Sequence, residues 1–294
     1  MTNWLANVKT KLGKKFRRRR GPLVTTIRLS GVIGSAGGIR QGLNLSVLET
    51  VLERAFQPSQ VKAVAISVNS PGGSPVQSAL IAERIRELAD EKNIPVFAFA
   101  EDVAASGGYW LACAADEIFA HSSSILGSIG VVTGGFGFTE LIKKIGIERR
   151  LYTSGNKKAM LDPFLPTKSS DLKHLKSLQL EIHNEFKDMV KTRRKKLVKS
   201  EESEIFSGAF WSGKKALELG LIDGIGDVNS ILREKFGADV RIKPVKQHQS
   251  FLKRKFGFGE VDHDHSNYSA NTANLAGNLL AAIENRLAWQ RFGL

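Results

Sequence analysis

Between Gly21 and Val245 short apolar runs alternate with segments of helical period, and this alternation limits the fold more than any other feature of the chain. Leu23 to Leu29 is rich in β-branched residues, while Val61 to Val68 and Pro95 to Ala100 have the length and composition of buried strands. Between them, Leu45 to Phe56 carries Val47, Leu48, Val51, Leu52 and Ala55 at helical spacing, and a second helix is predicted from about Pro75 to Leu88. Short strands at Glu117 to Ala120 and Val240 to Val245 continue the series. Strands separated by helices pair in parallel and need helices on their faces, so the expected class is α/β, a mainly parallel sheet wrapped by helices.

A nearly thirty-residue amphipathic helix is predicted from Ser169 to Leu197, with Leu172, Leu175, Leu178, Ile182, Phe186 and Met189 along one stripe. Its length suggests packing across the domain or against a neighbouring protomer. Its basic end, Lys191, Arg193, Arg194, Lys195 and Lys196, reads as a solvated face favoured by the helix dipole.

The formal charge of +14 is concentrated at the start: residues 1–20 hold Lys9, Lys11, Lys14, Lys15 and Arg17 to Arg20, eight of that excess, with no acidic residue. The remainder is only mildly basic, which argues against a nucleic-acid-binding fold. In this arm Trp4, Leu5, Val8, Leu12 and Phe16 recur every three to four residues, the pattern of a helix lying at an anionic membrane surface. No run reaches the roughly 20 apolar residues of a bilayer span and no secretory core follows the arm, so a cytoplasmic or peripheral location is expected. A single cysteine, Cys113, excludes an internal disulfide and reads as a buried core thiol. The expected domains are the arm 1–20, a catalytic unit 21–245, and a polar linker with a C-terminal amphipathic helix over 246–294. His263-Asp264-His265 lies in that polar stretch without further His or Cys ligands, so neither metal nor cofactor is expected.

Chemistry concentrates in Ala104-Ala105-Ser106-Gly107-Gly108-Tyr109, which sets one hydroxyl between a predicted strand and a predicted helix. Hydrolysing an amide needs a nucleophile, a base and donors for the oxyanion. Ser106 supplies the first. Of six histidines only His121 falls near the predicted core, and no Ser-His-Asp order emerges. A lysine is the other candidate base, because burial disfavours its ammonium form; Lys158 precedes the apolar Ala159-Met160-Leu161, with Lys157 as its immediate competitor. Gly72 and Gly73 after Pro71, and Gly107 after the serine, are candidate backbone donors in turns without a side chain to block approach.

These pieces resemble the signal peptide peptidase A family of serine peptidases, with its Clp-protease/crotonase-like fold of repeated β-β-α units. The resemblance rests on Asn69-Ser70-Pro71-Gly72-Gly73, Asp102 to Tyr109, Leu126-Gly127-Ser128-Ile129-Gly130-Val131, Ser154-Gly155 with Lys158, and Gly213 to Asp223, in family order over roughly residues 22–230. It implies a Ser-Lys dyad of Ser106 and Lys158, with Ser128 orienting the amine, oxyanion donors at Gly73 and Gly107, and Gly72 and Gly127 beside the bound peptide. It also implies ring- or dome-shaped homo-oligomers in which serine and lysine meet across protomers, and peptide substrates. Small residues around the serine suggest a groove for an extended hydrophobic peptide. A crotonase-type acyl-CoA enzyme shares the glycine turns but gives no role to a Ser106–Lys158 pair. An inactive membrane-bound scaffold of the same fold would not need them.

Overall fold

The computed structural model describes residues 21–34, 42–245, 283 and 286–294. The basic arm and the His263-Asp264-His265 stretch lie outside the described residues, as does nearly all of the expected linker. The strands are β1 (Leu23–Ser30), β2 (Val61–Ser70), β3 (Val96–Ala105), β4 (Glu117–Ala120), β5 (Ile125–Gly127), β6 (Phe210–Ser212), β7 (Gly224–Ile225) and β8 (Arg241–Pro244). The helices are α1 (Leu45–Phe56), α2 (Pro75–Lys92), α3 (Gly107–Ala112), α4 (Thr139–Lys144), α5 (Ser169–Arg193), α6 (Glu202–Ile205), α7 (Gly213–Glu218) and α8 (Val228–Phe236).

The strands form one sheet in the order β6-β5-β3-β2-β1-β8, with β4 joined to β3 and β7 to β4. Every pairing is parallel except β5 with β6. The expected class is therefore the observed one, and the Clp-protease-like arrangement of a mostly parallel sheet with flanking helices holds. Local signals set the helix starts: Asn44 caps α1 by accepting from the Val47 amide at 3.0 Å, and Ser74 caps α2 with Pro75 in its first turn. One sheet face packs Ile27, Ile66 and Val68 against Leu52, Ile81, Ile85 and Leu111 of the helices. The other face buries Val24, Phe97, Phe99 and Phe119 under Ile231 and Leu232 of α8. Each such side chain contributes on the order of 1.5–3 kcal/mol by leaving water.

Strand β3 runs five residues beyond the Pro95 to Ala100 segment that reads as a strand in the sequence, because its two polar residues are accommodated at a fork. Phe97–Ala100 pair with β4, whereas Val103–Ala105 pair with β5. At the break, Arg28 grips Glu101 through the Nε–Nη2 edge of its guanidinium, and the Asn69 amide donates to Asp102 at 2.8 Å while its oxygen accepts from the Val103 amide at 3.2 Å. The continuation carries the chain to Ser106. On the face away from α3, Val103 and Ala105 are covered by Phe292 and Trp289, so the C-terminal turn packs on the strand leading to the serine.

Two expectations about α5 change. The helix ends at Arg193, where Arg194 leaves helical geometry at φ −108° and ψ 74°. Its long stripe is not buried along its length either: of the six stripe residues only Phe186 is buried, while Leu172 and Leu178 are exposed, and Val190 off the stripe is the helix's other buried residue. The basic end is a solvated face only at Lys191, Lys195 and Lys196, which are exposed; its two arginines turn inward. Arg194 is 4% exposed and bonded to Asp223 at 2.7 Å, and Arg193 reaches into the end of α3.

Candidate active site

Ser106 occupies the cap position of α3 but does not cap it: its side chain makes no capping hydrogen bond, and its backbone lies at φ 53°, ψ −124°. A capping serine has extended dihedrals and accepts from the first turn, so an ordinary helix cap does not account for this residue. A non-glycine residue at such dihedrals is strained by roughly 1–3 kcal/mol and persists only where its surroundings over-determine it. They do so here. The Ser106 amide donates to Gly127 at 2.8 Å, and its carbonyl accepts from Tyr109 and Trp110 at 2.9 and 3.0 Å. The residue is half-buried, and its hydroxyl is not used as a cap.

The turn after β2 lies directly against this junction. Gly72 has φ +103°, and a Cβ there would come within 2.8 Å of the Ser106 Cβ and 2.9 Å of the Gly107 nitrogen. Gly73, at φ +145°, would overlap the Ile33 carbonyl if it carried a side chain, and Ile33 fixes the turn by donating to the Gly72 carbonyl at 2.8 Å and accepting from Ser74 at 2.9 Å. A Cβ on Gly107 would stand 3.4 Å from the Gly73 nitrogen, so the two amides are neighbours. Among the described residues neither of these amides donates a hydrogen bond. Two adjacent free N–H groups beside a strained serine form the arrangement that tetrahedral intermediates of acyl transfer require.

Ser128 comes to the same strand ends. The β3–β5 ladder pairs Ala105 with Gly127, which sets Ser106 and Ser128 each one residue beyond the last pair. Both have φ 53°. Ser128 is buried and held by its amide to the Ala209 carbonyl at 2.6 Å. Gly127 packs under Trp211, whose ring would meet a Cβ there at 2.6 Å; this close packing on Trp211 carried no signal in the sequence.

Lys158 is not brought to this group within one chain. It closes a turn from Gly155, whose carbonyl accepts its amide at 3.1 Å, and its side chain is exposed, as is that of Lys157. Among the described residues no hydrogen bond or ion pair joins either lysine to Ser106 or Ser128. The surrounding segment 132–183 is largely exposed, with Val132, Phe136, Ile145, Ile147 and Tyr152 more than half accessible. His121 is also exposed; its ring accepts from the Ser123 amide at 3.2 Å and is bonded to neither Ser106 nor Ser128. Among the described residues no group of three or more His, Cys, Asp or Glu could hold a metal ion. Cys113 is fully buried in α3's apolar surroundings, and burial pushes its thiol up to about 12.

Residues 89–239, just over half of the chain, match the sequence profile of Peptidase family S49. The chain is 32% identical over 211 residues to a chloroplastic serine protease SPPA of Arabidopsis thaliana, covering 70% of this chain and 31% of that protein. It is 30% identical over 217 residues to Protease 4 of Haemophilus influenzae, covering 72% and 34%. A protein of Brucella abortus named Na(+)/H(+) antiporter NhaA is 49% identical over 272 residues, covering 92% of this chain and 37% of that protein. The chain thus spans about a third of the length of these relatives, and no described helix is long and apolar enough to cross a membrane. The shared profile and the serine-protease relatives agree with the fold: the chain belongs to Peptidase family S49.

Proposed function

We propose that the protein is a serine endopeptidase in which Ser106 is the nucleophile and Lys158 the general base. The observation that carries this reading is the strained, non-capping Ser106 beside the free amides of Gly73 and Gly107. Lys158 in its neutral form takes the hydroxyl proton as Ser106 Oγ attacks the scissile carbonyl, and the oxyanion rests on the two glycine amides. The ammonium then protonates the leaving amine. Water attacks the acyl-enzyme, the same lysine takes its proton, and collapse of the second tetrahedral species returns that proton to Ser106 Oγ. Ser128 orients the amine by hydrogen bonding.

A second copy of the chain supplies Lys158. The exposed apolar residues of 132–183 support this, since a face of that kind on one chain marks an association surface. Association would also bury the amine, which favours its neutral form. The substrate class is an extended, hydrophobic peptide lying over the small residues around Gly72 and Gly127. The names of the Arabidopsis and Haemophilus relatives agree with proteolysis.

The test is labelling of the purified full chain with a fluorophosphonate probe, together with cleavage of an unstructured casein. Labelling at Ser106 is expected, with loss of cleavage in Ser106→Ala and Lys158→Ala and retention in Lys157→Ala. Full activity in either of the first two variants overturns the dyad.

A further inference from the structure

We infer that Arg193 is a positioning residue for the nucleophile, acting through the far end of the helix that Ser106 begins; this rests on the proposed peptidase reading. Helix α3 is only six residues long, and its N-terminal residue Gly107 carries one of the two amides assigned to the oxyanion. The carbonyls at its other end are gathered by one side chain. Arg193 donates from Nε to Cys113 at 3.0 Å and from Nη2 to Ala115 at 2.9 Å, and reaches Asp116 at 3.2 Å. Arg86 of α2 adds a bond to the Ala114 carbonyl at 3.2 Å and pairs with the same Asp116 at 2.9 Å. A planar fork with fixed donors sets the place of several carbonyls at once, which a lysine cannot do.

The contact is also where α5 is attached to the domain. Beyond the Arg193 fork, Phe186 stacks on Trp110 of α3 with ring centroids 4.6 Å apart. Arg194 is bonded to Asp223. The Tyr109 hydroxyl donates to the Leu221 carbonyl at 2.7 Å. Helix α5 is the direct continuation of the exposed segment that holds Lys158, and its buried residues Phe186 and Val190 lie in its last turns. A displacement of α5 therefore passes to α3 through this end. In so short a helix it reaches Gly107 and Ser106 within two turns. Arg193 thus ties the seat of the nucleophile to the segment that bears the base.

The experiment compares Arg193→Ala, Arg193→Lys and wild type in the full chain, by the fluorophosphonate labelling rate of Ser106 per folded molecule and by kcat and KM for a peptide. Arg84→Ala serves as control, because Arg84 is equally networked, to Glu49, Glu53 and Glu87, but is neither hydrogen-bonded nor ion-paired to the end of α3. A displacement of reacting groups by about 1 Å costs up to about a hundredfold, so a roughly ten- to hundredfold slower labelling and lower kcat is expected for Arg193→Ala, with KM little changed. Millimolar guanidinium should restore part of the rate. Arg193→Lys, which keeps the charge and loses the fork, should also be slow, and it decides the matter if the alanine variant does not fold. Labelling at the wild-type rate in either folded variant, or an equal loss in Arg84→Ala, overturns the inference. Absence of labelling in wild type sinks the peptidase reading instead.

Discussion

Replacing Ser106 by glycine should make the protein more stable while abolishing its activity, and the size of the gain can be worked from the backbone. Ser106 sits at φ 53°, ψ −124°, a conformation glycine adopts freely and a residue with a Cβ does not. Such strain costs roughly 1–3 kcal/mol. Glycine gives back about 0.5–1 kcal/mol through the greater freedom of its unfolded chain. The two ranges leave a net of about 0–2.5 kcal/mol, centred near 1 kcal/mol, in favour of Ser106→Gly over Ser106→Ala. The alanine variant is the proper reference, because it also lacks the hydroxyl but keeps the Cβ and hence the strain. At about 2–4 °C per kcal/mol for a domain of this size, a gain near 1 kcal/mol should make the glycine variant melt some 2–4 °C higher than the alanine variant. Urea unfolding of both, with no substrate or probe present, measures the difference directly. If Ser106→Gly is no more stable than Ser106→Ala, the backbone at this junction is not strained, and the argument that the surrounding turns hold the serine against its own preference fails.

Mixing inactive Ser106→Ala with inactive Lys158→Ala under conditions that allow subunits to exchange should restore a fraction of peptide cleavage if the dyad forms between copies; no recovery in demonstrably mixed oligomers would contradict a shared site. Asp223→Ala leaves the guanidinium of Arg194 buried without its carboxylate, a change expected to cost about 3–5 kcal/mol in urea unfolding. Burial alone would raise the Asp223 carboxyl, but the hydrogen bond from Arg194, the Ile118 amide, the Arg194 charge and Lys196 hold it below its usual value. A depressed folded-state value makes its contribution full above the unfolded carboxylate value of about 3.9 and lost as pH falls through the folded one, so the advantage of wild type over Asp223→Asn should be flat near neutrality and shrink below about pH 4. Cys113, with its thiol pushed up to about 12 by burial, should resist iodoacetamide at pH 8 in the native protein and react promptly in urea; rapid native alkylation would show that the core around α3 opens.

The parallel sheet was legible because its signals are local: β-branched runs, the helical spacing of Val47 to Ala55, and the Pro71-Gly72-Gly73 turn at the end of β2. Ser106 and the two glycine turns were legible for a related reason, since each ends a strand of one parallel series and parallel strands bring like ends together, whereas Ser128 was named only through the family resemblance. The extension of β3 through Glu101 and Asp102 was not, because a polar pair in an apolar run ends a strand on pattern alone; Arg28 and Asn69, 73 and 33 residues away from their carboxylates, remove that objection. Arg193 and Arg194 misled for the opposite reason. Six residues rich in lysine and arginine at a helix end look solvated, and nothing local tells that the partners, Cys113 to Ala115 and Asp223, lie about 80 and 29 positions off.

The apolar stripe of α5 is a subtler case, because the pattern is real and the burial within one chain is not. Leu172 and Leu178 keep the period of a buried face, yet in one chain both are exposed. Water-exposed leucines at this density are costly unless something covers them, and the same segment carries the proposed base. The two halves of the proposed site are therefore held in unlike ways. Ser106 is fixed by β3, β5 and the Gly72 turn, backbone against backbone, in a conformation it would not choose. Lys158 stands on a segment that single-chain packing leaves exposed. A peptidase built in this manner would keep its nucleophile poised and its base displaced until association buries the segment, which places control of hydrolysis in assembly and makes the junction of α5 with α3 the point where that control meets the serine.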